Sequence, residues 1–171
     1  MIIRPATDAD VPGILPIYNH AVEHTTAVFD YKPQTLEMRR EWFRTKQAAS
    51  LPVFVAVEGD RILGFSSYGP FRAWPAYKYS VELSVYVDLD ARRRGIGTEL
   101  IRAVIADARA RELHVIMAGI TAENEISLRM HERLGFVEVA NIPQVGYKFG
   151  KWLDLKFMQL VLDSPSQPSE P

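Results

Sequence analysis

Three consecutive arginines and two glycines lie between an apolar run and an amphipathic segment. The segment Arg92–Thr98 follows a stretch in which Val81, Leu83, Val85 and Val87 alternate, a pattern typical of a half-buried strand. From Ile96 to Ala108 the apolar residues recur every three or four positions, which is typical of a helix with one face on a core. A helix start offers unpaired backbone N–H groups and the positive end of the helix dipole, and glycines let a ligand approach that backbone. The segment therefore predicts an anion site, with phosphate as its natural ligand.

Alternative explanations of the glycine turn fit less well. A dinucleotide-binding fingerprint needs a third glycine where the chain has Leu100, and a phosphate loop needs Gly-Lys-Ser/Thr, which this turn lacks. A run of arginines is usually a solvated surface. Because this run adjoins a glycine pair and a helix start, the sequence favours a function for it.

A second group of polar residues lies on a predicted helix near residue 125. Asn124, Ser127 and His131 are spaced by three and four residues, so they share one stripe. Taken singly, Asn124 would be an ordinary helix cap and His131 a half-buried histidine with satisfied hydrogen bonds.

A third pattern, His20-Ala21-Val22-Glu23-His24, fits the H-x-x-E-H motif of inverted zinc proteases. Two histidines four residues apart on a helix can bind zinc, but a third protein ligand is needed and the sequence nominates none. We therefore expect no metal.

Composition limits the class of protein. The chain has 171 residues, 47% of them hydrophobic, which is enough for one sizeable core. Its net charge of −1 argues against a nucleic-acid partner, and the absence of cysteine excludes disulfides and a cysteine nucleophile. There is no signal-peptide pattern and no apolar run of the roughly 20 residues that a membrane span needs, so we expect a cytoplasmic protein without membrane contact.

The elements that position these residues can be predicted from periodicity and turn signals. The expected order is strand, two helices, three strands, helix, strand, helix and two strands. Their expected ranges are 2–6, a helix towards His24, 36–49, 53–57, 62–68, the strand ending at Val87, the helix after the glycines, 115–120, 125–134, 137–140 and 155–162. We expect one domain over residues 1–163 and a flexible tail over 164–171, which is rich in serine and proline.

These motifs resemble those of a known family. Arg92, Gly95 and Gly97 match the acyl-CoA-binding pattern Gln/Arg-x-x-Gly-x-Gly/Ala of the GNAT family of N-acetyltransferases. Asn124, followed by His131 and then Leu134-Gly135-Phe136, resembles the second CoA motif of that family. The resemblance implies the single-domain acyl-CoA N-acyltransferase fold, a mixed α/β fold with a central, mostly antiparallel sheet flanked by helices.

On this resemblance, acetyl-CoA is the co-substrate. Main-chain amides of residues 93–98 would hold its pyrophosphate, and Val85 and Val87 would pair their backbone with the pantetheine arm like an added strand. The implied acetyl-CoA-binding residues are Val85, Tyr86, Val87, Arg92, Arg93, Arg94, Gly95, Ile96, Gly97, Thr98, Asn124 and Ser127.

Longer segments are similar to one subfamily, the phosphinothricin and methionine sulfoximine/sulfone acetyltransferases. They are Tyr18-Asn19-His20, 25–29, 79–87, 128–132 and 146–154, so that the resemblance extends over Ile2 to Leu162. It implies transfer of an acetyl group to the α-amino group of a small amino-acid-like substrate, by direct attack in a ternary complex. Protein N-termini and other small amines are alternative acceptors, and a CoA-binding module without turnover is a further alternative.

Two residues are candidates for proton transfer. Glu82 is an unusual acid inside an apolar strand, and it would remove a proton from the acceptor ammonium, directly or through water. Its alternative role is that of a buried ion-pair partner. The tyrosine that commonly reprotonates the leaving thiolate in the family is replaced here by His131, which can do the same chemistry.

The acceptor is expected near the segment Phe71-Arg72-Ala73-Trp74. Arg72 could hold a carboxylate and Trp74 could wall off the side chain, although an exposed loop arginine and a core tryptophan are equally ordinary. The expected substrate-binding residues are Phe71, Arg72, Ala73, Trp74, Glu82, Leu83, Ser84, Phe29 and Tyr31. We also expect a homodimer, since that state is common among similar enzymes.

Overall fold

The computed structural model describes residues 1–170. Within them lie seven strands, β1 (Ile2–Pro5), β2 (Val53–Glu58), β3 (Arg61–Pro70), β4 (Ser80–Val87), β5 (Val115–Thr121), β6 (Val137–Lys148) and β7 (Lys151–Val161). The four α-helices of the same residues are α1 (Val11–His24), α2 (Leu36–Ala48), α3 (Ile96–Ala110) and α4 (Glu125–Arg133). The expected order of elements is confirmed.

The strands of residues 1–170 form one seven-stranded sheet in the order β1-β2-β3-β4-β5-β7-β6. The pairs β1/β2, β2/β3, β5/β7 and β6/β7 are antiparallel, whereas β4 and β5 are parallel. The β4/β5 register begins at Ser80 opposite Val115 and ends at Glu82 opposite Met117, while β4 itself continues to Val87. The predicted mixed, mostly antiparallel sheet flanked by helices is therefore confirmed.

The chain folds as two compact units. The first unit comprises Met1–Ser67 and Val85–Ala103. One of its cores joins the apolar faces of α1 and α2 to β2 and β3, with Ile14, Phe43 and Phe65 at its centre. A second core joins the start of α3 to the same two strands. Burial of these apolar faces is the main force that holds the unit together.

The second unit comprises Tyr68–Ser84 and the chain from Val104 onward. Many of its buried residues come from the second half of α3, from β4, β5 and β7, and from Phe136, which follows α4. On α4 the buried side chains are Leu128 and His131, whereas Ile126 is 75% exposed. The polar stripe that carries His131 therefore faces the interior, and the apolar Ile126 faces solvent.

The last two strands are longer than the sequence predicts. The expected ranges 137–140 and 155–162 become β6 and β7, joined by the turn Phe149-Gly150, whose φ angles of +52° and +74° suit a tight hairpin. Pro143 and Gly146 interrupt the alternation of β6 and obscure the strand in the sequence. They are tolerated because β6 is an edge strand with register shifts around residues 138–140 and 142–146.

The C-terminal segment contacts the second unit. Ser164 Oγ donates a hydrogen bond to Leu113 O (2.6 Å), the backbone N–H of Ser169 donates one to the Tyr79 hydroxyl (3.1 Å), and His114 Nδ1 lies 2.7 Å from Ser164 O. The predicted domain boundary at residue 163 and the flexibility of the tail stay predictions. Across residues 1–170, no helix combines the length and apolarity that a bilayer crossing requires.

Candidate active site

The predicted anion site is a turn of unusual backbone conformation at the start of α3. Arg93 has φ +64° and Gly95 has φ +76°, and nothing lies within 4 Å of the position of a Cβ on Gly95. The first intrahelical bond runs from Glu99 N to Gly95 O (3.2 Å), so the earlier N–H groups of α3 have no acceptor one turn back within the helix. Left-handed residues followed by a helix start form a concave set of N–H groups that suits a phosphate.

The three arginines of this turn are exposed but not equivalent. Arg94 Nη2 donates to Glu58 Oε1 at 2.6 Å, and this bond lowers the pKa of the Glu58 carboxyl. Arg92 and Arg93 take part in none of the ion pairs formed by residues 1–170. Their charges are therefore available to an anion bound at this turn.

Strand β4 divides its side chains between two cores of the first unit. Val85 and Val87 pack with the core at the start of α3, whereas Tyr86 packs with the core of α1 and α2. The Tyr86 ring contacts Phe65 at 5.1 Å and Tyr18 at 5.6 Å between centroids. Both faces of this end of β4 are therefore packed, and the register of β4 with β5 has already ended at Glu82.

Glu82 lies half-buried in β4, and its carboxylate forms no hydrogen bond or ion pair within the described part of the chain. Burial raises the pKa of Glu82, and the positive charge of Arg72 opposes part of that rise. No cationic side chain of the described residues lies within 4 Å of the Glu82 carboxylate, so its alternative role as a buried ion-pair partner has no support. A half-buried, unpaired carboxylate whose pKa is raised by burial is a stronger proton acceptor than an ordinary glutamate.

Gly119 of β5 provides the space for this carboxylate. A Cβ at position 119 would lie 3.0 Å from Glu82 Oε1 and 3.5 Å from the ring of Phe157. Sequence reasoning did not nominate Gly119. The available signal was a glycine inside an otherwise apolar strand, which often marks a close approach of another group.

The residues predicted to bind the acceptor differ in exposure. Phe71 is half-buried and packs edge-on against Phe157 (6.0 Å), and the guanidinium of Arg72 lies 4.2 Å from the centre of the Phe71 ring. Trp74 is 76% exposed, so it is not a core residue. Ala73, Phe29 and Tyr31 are also exposed, whereas Leu83 is buried and Ser84 half-buried.

The predicted stripe on α4 is brought together. Asn124 Oδ1 accepts a hydrogen bond from Ser127 N (3.2 Å), and His131 Nδ1 lies 2.8 Å from Ser127 O and 3.4 Å from Ser127 Oγ. His131 is 1% exposed, and burial lowers its pKa. We assign the proton of the neutral ring to Nδ1, because only a donor suits a carbonyl oxygen. Nε2, which has no partner in residues 1–170, is then an acceptor that must gain a proton before it can donate one.

The H-x-x-E-H motif lies on α1, where the rings of His20 and His24 are 5.0 Å apart. Residues 1–170 contain no group of three His, Cys, Asp or Glu side chains that could hold a metal ion. The third ligand that a zinc protease needs is therefore missing from the described chain.

The model of the Acetyltransferase (GNAT) family matches residues 14–136. The chain belongs to this family. Among its relatives is an L-methionine sulfoximine/L-methionine sulfone acetyltransferase of Pseudomonas aeruginosa, 48% identical over 94% of both chains. A phosphinothricin N-acetyltransferase of Streptomyces coelicolor is 38% identical over 92% of this chain and 94% of its own.

A solved structure has the same fold at high similarity. It is that of a putative acetyltransferase from Salmonella typhimurium with its cofactor acetyl-CoA, with a TM-score of 0.94 and 42% identity over 98% of this chain and 97% of its own. The protein is therefore an acetyltransferase of the GNAT family, and the resemblance found in its motifs is confirmed.

Proposed function

We propose that this protein transfers the acetyl group of acetyl-CoA to the α-amino group of a small amino acid of the methionine sulfone, methionine sulfoximine or phosphinothricin type. The names of the relatives from Pseudomonas aeruginosa and Streptomyces coelicolor support this acceptor class. The observation that carries the proposal is Glu82, a half-buried carboxylate without a partner in the described chain and with a pKa raised by burial.

Acetyl-CoA fits the observed residues as co-substrate. The N–H groups of residues 93–98, with the exposed charges of Arg92 and Arg93, would hold its pyrophosphate. The backbone of Val85 and Val87 would pair with the pantetheine arm, because the register with β5 ends at Glu82. Asn124 and Ser127 would complete this binding, as the family motif implies. The thioester supplies an activated acyl group.

Glu82 would prepare the nucleophile. An amino acid's amine is mostly ammonium at neutral pH, and only the neutral amine can attack a carbonyl. Glu82 takes one proton from the ammonium, directly or through water, and the lone pair so freed forms the N–C bond. A backbone N–H near Val85 would stabilise the negative charge that develops on the carbonyl oxygen. Most of the rate gain then comes from holding two substrates in place.

His131 is the proposed proton donor to the leaving thiolate. The nitrogen is cationic once the N–C bond has formed, and it releases its second proton to water. When the C–S bond breaks, its electron pair stays on sulfur, which takes up one proton. Since the neutral ring carries its proton at Nδ1 on Ser127 O, His131 can act only after Nε2 has gained a proton. This requirement makes the role of His131 testable separately from that of Glu82.

Arg72 would bind the acceptor carboxylate as a bidentate pair, and Phe71, Ala73, Trp74, Leu83, Ser84, Phe29 and Tyr31 would line the remaining acceptor site. The exposure of Trp74 supports a role as a ligand-covering side chain rather than as part of the core.

We also propose a homodimer in the cytoplasm. The β6–β7 hairpin supports the dimer, because it forms an edge of the sheet and carries exposed apolar side chains: Val137, Val139, Val145, Tyr147, Phe149 and Trp152. Sedimentation of wild type and Trp152→Glu tests this assignment; identical monomeric behaviour of the two would refute it.

A thiol-release assay tests the function. Purified protein is given acetyl-CoA with methionine sulfone, methionine sulfoximine, phosphinothricin or a peptide that has a free N-terminus. We expect thiol release with the amino acids and little with the peptide. Release only with the peptide would favour protein N-termini as acceptors, and thermal stabilisation by CoA without any turnover would favour a binding module.

A further inference from the structure

Unsatisfied polar atoms are concentrated at the start of α2. Five buried side-chain nitrogen or oxygen atoms lack a hydrogen-bond partner within residues 1–170, and four of them belong to residues 34–40. They are Oε1 of Gln34, Nε and Nη2 of Arg39, and Nε of Arg40. Gln34 Oε1 can only accept a hydrogen bond, whereas the three arginine nitrogens can only donate one, so these nitrogens are the atoms that an external acceptor could satisfy.

Arg39 is the most exceptional of these residues. It is 2% exposed, and its guanidinium carbon lies 3.7 Å from the centre of the Tyr18 ring and 4.5 Å from that of Trp42. It forms none of the ion pairs among the described residues. Contact with aromatic faces stabilises the cation in part, but a buried charge without a counter-ion remains costly.

The two unsatisfied nitrogens of Arg39 determine which kind of group would fit. The N–H bonds of Nε and Nη2 lie on the same edge of the planar guanidinium and point in nearly parallel directions. This edge matches two oxygens on one carbon, sulfur or phosphorus atom, which it binds through two hydrogen bonds. The missing partner therefore has the geometry of a carboxylate, sulfonyl or phosphinyl group.

The position of Arg39 in the first unit connects it with β4. The ring of Tyr18, over which the guanidinium lies, contacts Tyr86 edge-on at 5.6 Å. Tyr86 stands between Val85 and Val87 on β4. Burial lowers the pKa of Arg39, and Tyr18 and Tyr86 oppose that effect, so both tyrosines are electrostatic neighbours of the cation.

We propose that Arg39 forms a buried anion-binding site that takes a two-oxygen acid group of a small molecule on its Nε–Nη2 edge. The group can come from the acceptor itself or from a free small anion, and the chemistry of recognition is the same. In the first case the proposal rests on the proposed function and makes Arg39 a determinant of acceptor specificity. In the second case it is independent of that function.

The free-anion arm uses thermal unfolding at constant ionic strength. Wild type, Arg39→Lys, Arg39→Gln and Arg44→Gln are compared in chloride, acetate, methanesulfonate and dimethylphosphinate. Arg44 is the matched control, since it lies on the same helix but is exposed and paired with Glu37 and Glu41. We expect the two-oxygen anions to raise the Tm of wild type and Arg44→Gln above its value in chloride, and this rise to disappear in both Arg39 variants.

The acceptor arm uses steady-state kinetics with methionine sulfone. If the acceptor supplies the group, its KM rises roughly tenfold or more in Arg39→Gln, the effect of losing a charge-assisted pair, while the KM for acetyl-CoA is unchanged. If a free anion supplies the acid group, the KM for the acceptor is unchanged in the Arg39 variants, and only the anion-dependent rise of Tm is lost. Arg39→Lys keeps the positive charge but lacks the Nε–Nη2 edge. It therefore replaces Arg39→Gln in this comparison if Arg39→Gln does not fold.

One combined result overturns the proposal: no anion-specific rise of Tm in wild type together with an unchanged acceptor KM in the Arg39 variants. If wild type acetylates none of the acceptors, the proposed function fails, and the anion series alone then decides whether Arg39 is an anion site.

Discussion

The carboxylate of Glu82 occupies space that any side chain at Gly119 would take. A Cβ at position 119 would lie 3.0 Å from Glu82 Oε1, closer than most real Cβ contacts. The absence of a side chain at Gly119 thus leaves room for the Glu82 carboxylate, and a methyl group there would make Oε1 move by a few tenths of an ångström.

We expect Gly119→Ala to lower kcat by displacing the Glu82 carboxylate, with little change in the KM for acetyl-CoA. A double-mutant cycle with Glu82→Gln checks the mechanism. If Gly119 acts through Glu82, the alanine has little further effect on kcat in the Glu82→Gln protein. Equal losses in both backgrounds would show that Gly119 acts by another route.

Glu82→Gln is expected to lower kcat by about 100-fold or more, the usual effect of removing a general base. Because the carboxylate is the active form and burial raises its pKa, wild-type kcat should rise with pH through a value above the ordinary pKa of glutamate. This rise of kcat with pH should be absent in Glu82→Gln.

Glu82 also makes a prediction about stability. A carboxyl whose pKa is raised by folding destabilises the native state as pH rises through that pKa. Glu82→Gln should therefore gain thermal stability over wild type at pH 8 and lose this advantage near pH 4. A variant that is less stable at pH 8 would show that the Glu82 charge has a stabilising partner.

His131→Phe and His131→Tyr form a matched pair that differs by one hydroxyl. Both enlarge a ring that is 1% exposed, so they share the cost of repacking. If the residue at 131 protonates the thiolate, kcat falls in His131→Phe and is partly restored in His131→Tyr, whose phenol carries a proton up to its pKa of about 10. Equal kcat in the two variants would assign the proton to solvent.

Gly95→Ala should raise the KM for acetyl-CoA roughly tenfold, since it strains a backbone at φ +76° and places a methyl group in the proposed pyrophosphate site. Gly150→Ala is the control, because it has φ +74° and equally open surroundings in the β6–β7 turn. Both variants should lose similar thermal stability, but only Gly95→Ala should bind acetyl-CoA more weakly. Equal KM values for acetyl-CoA in the two variants would show that the pyrophosphate does not bind at Gly95.

The ion pair between Arg4 and Asp10 predicts acid sensitivity. Arg4 donates two hydrogen bonds to Asp10, of 2.7 and 2.8 Å, and lowers the pKa of that carboxyl to about 2. The stabilisation is present above pH 4 and is lost as pH falls through 2. Asp10→Asn should cost about 2 kcal/mol of unfolding free energy at pH 7. The exposed Asp8→Asn is the control, and an equal cost for both would refute the role of the pair.

Local sequence patterns were enough to predict those parts of the candidate site whose residues lie on one element or on consecutive elements. The alternation of β4, the glycine turn and the start of α3 follow one another along the chain, so their juxtaposition is fixed by covalent connection. The stripe on α4 was equally readable, and its hydrogen bonds between Asn124, Ser127 and His131 confirm the shared face.

Features that depend on other elements were missed. Gly119 matters through Glu82 of a neighbouring strand, and no local pattern shows that pairing. Arg39 is absent from the residues predicted in the sequence, since a charged side chain is seldom buried. A signal existed nonetheless, since Leu36, Arg39 and Phe43 fall on the same face of a helix.

The packing of β4 has a consequence for how this enzyme can evolve. Because Val85 and Val87 are committed to one core and Tyr86 to another, recognition of the donor at this point would depend on main-chain atoms, which substitutions do not change. A lineage can therefore replace the side chains that select the acceptor while its donor remains the same. After a gene duplication, the new copy can change its acceptor while it continues to bind the same acyl donor.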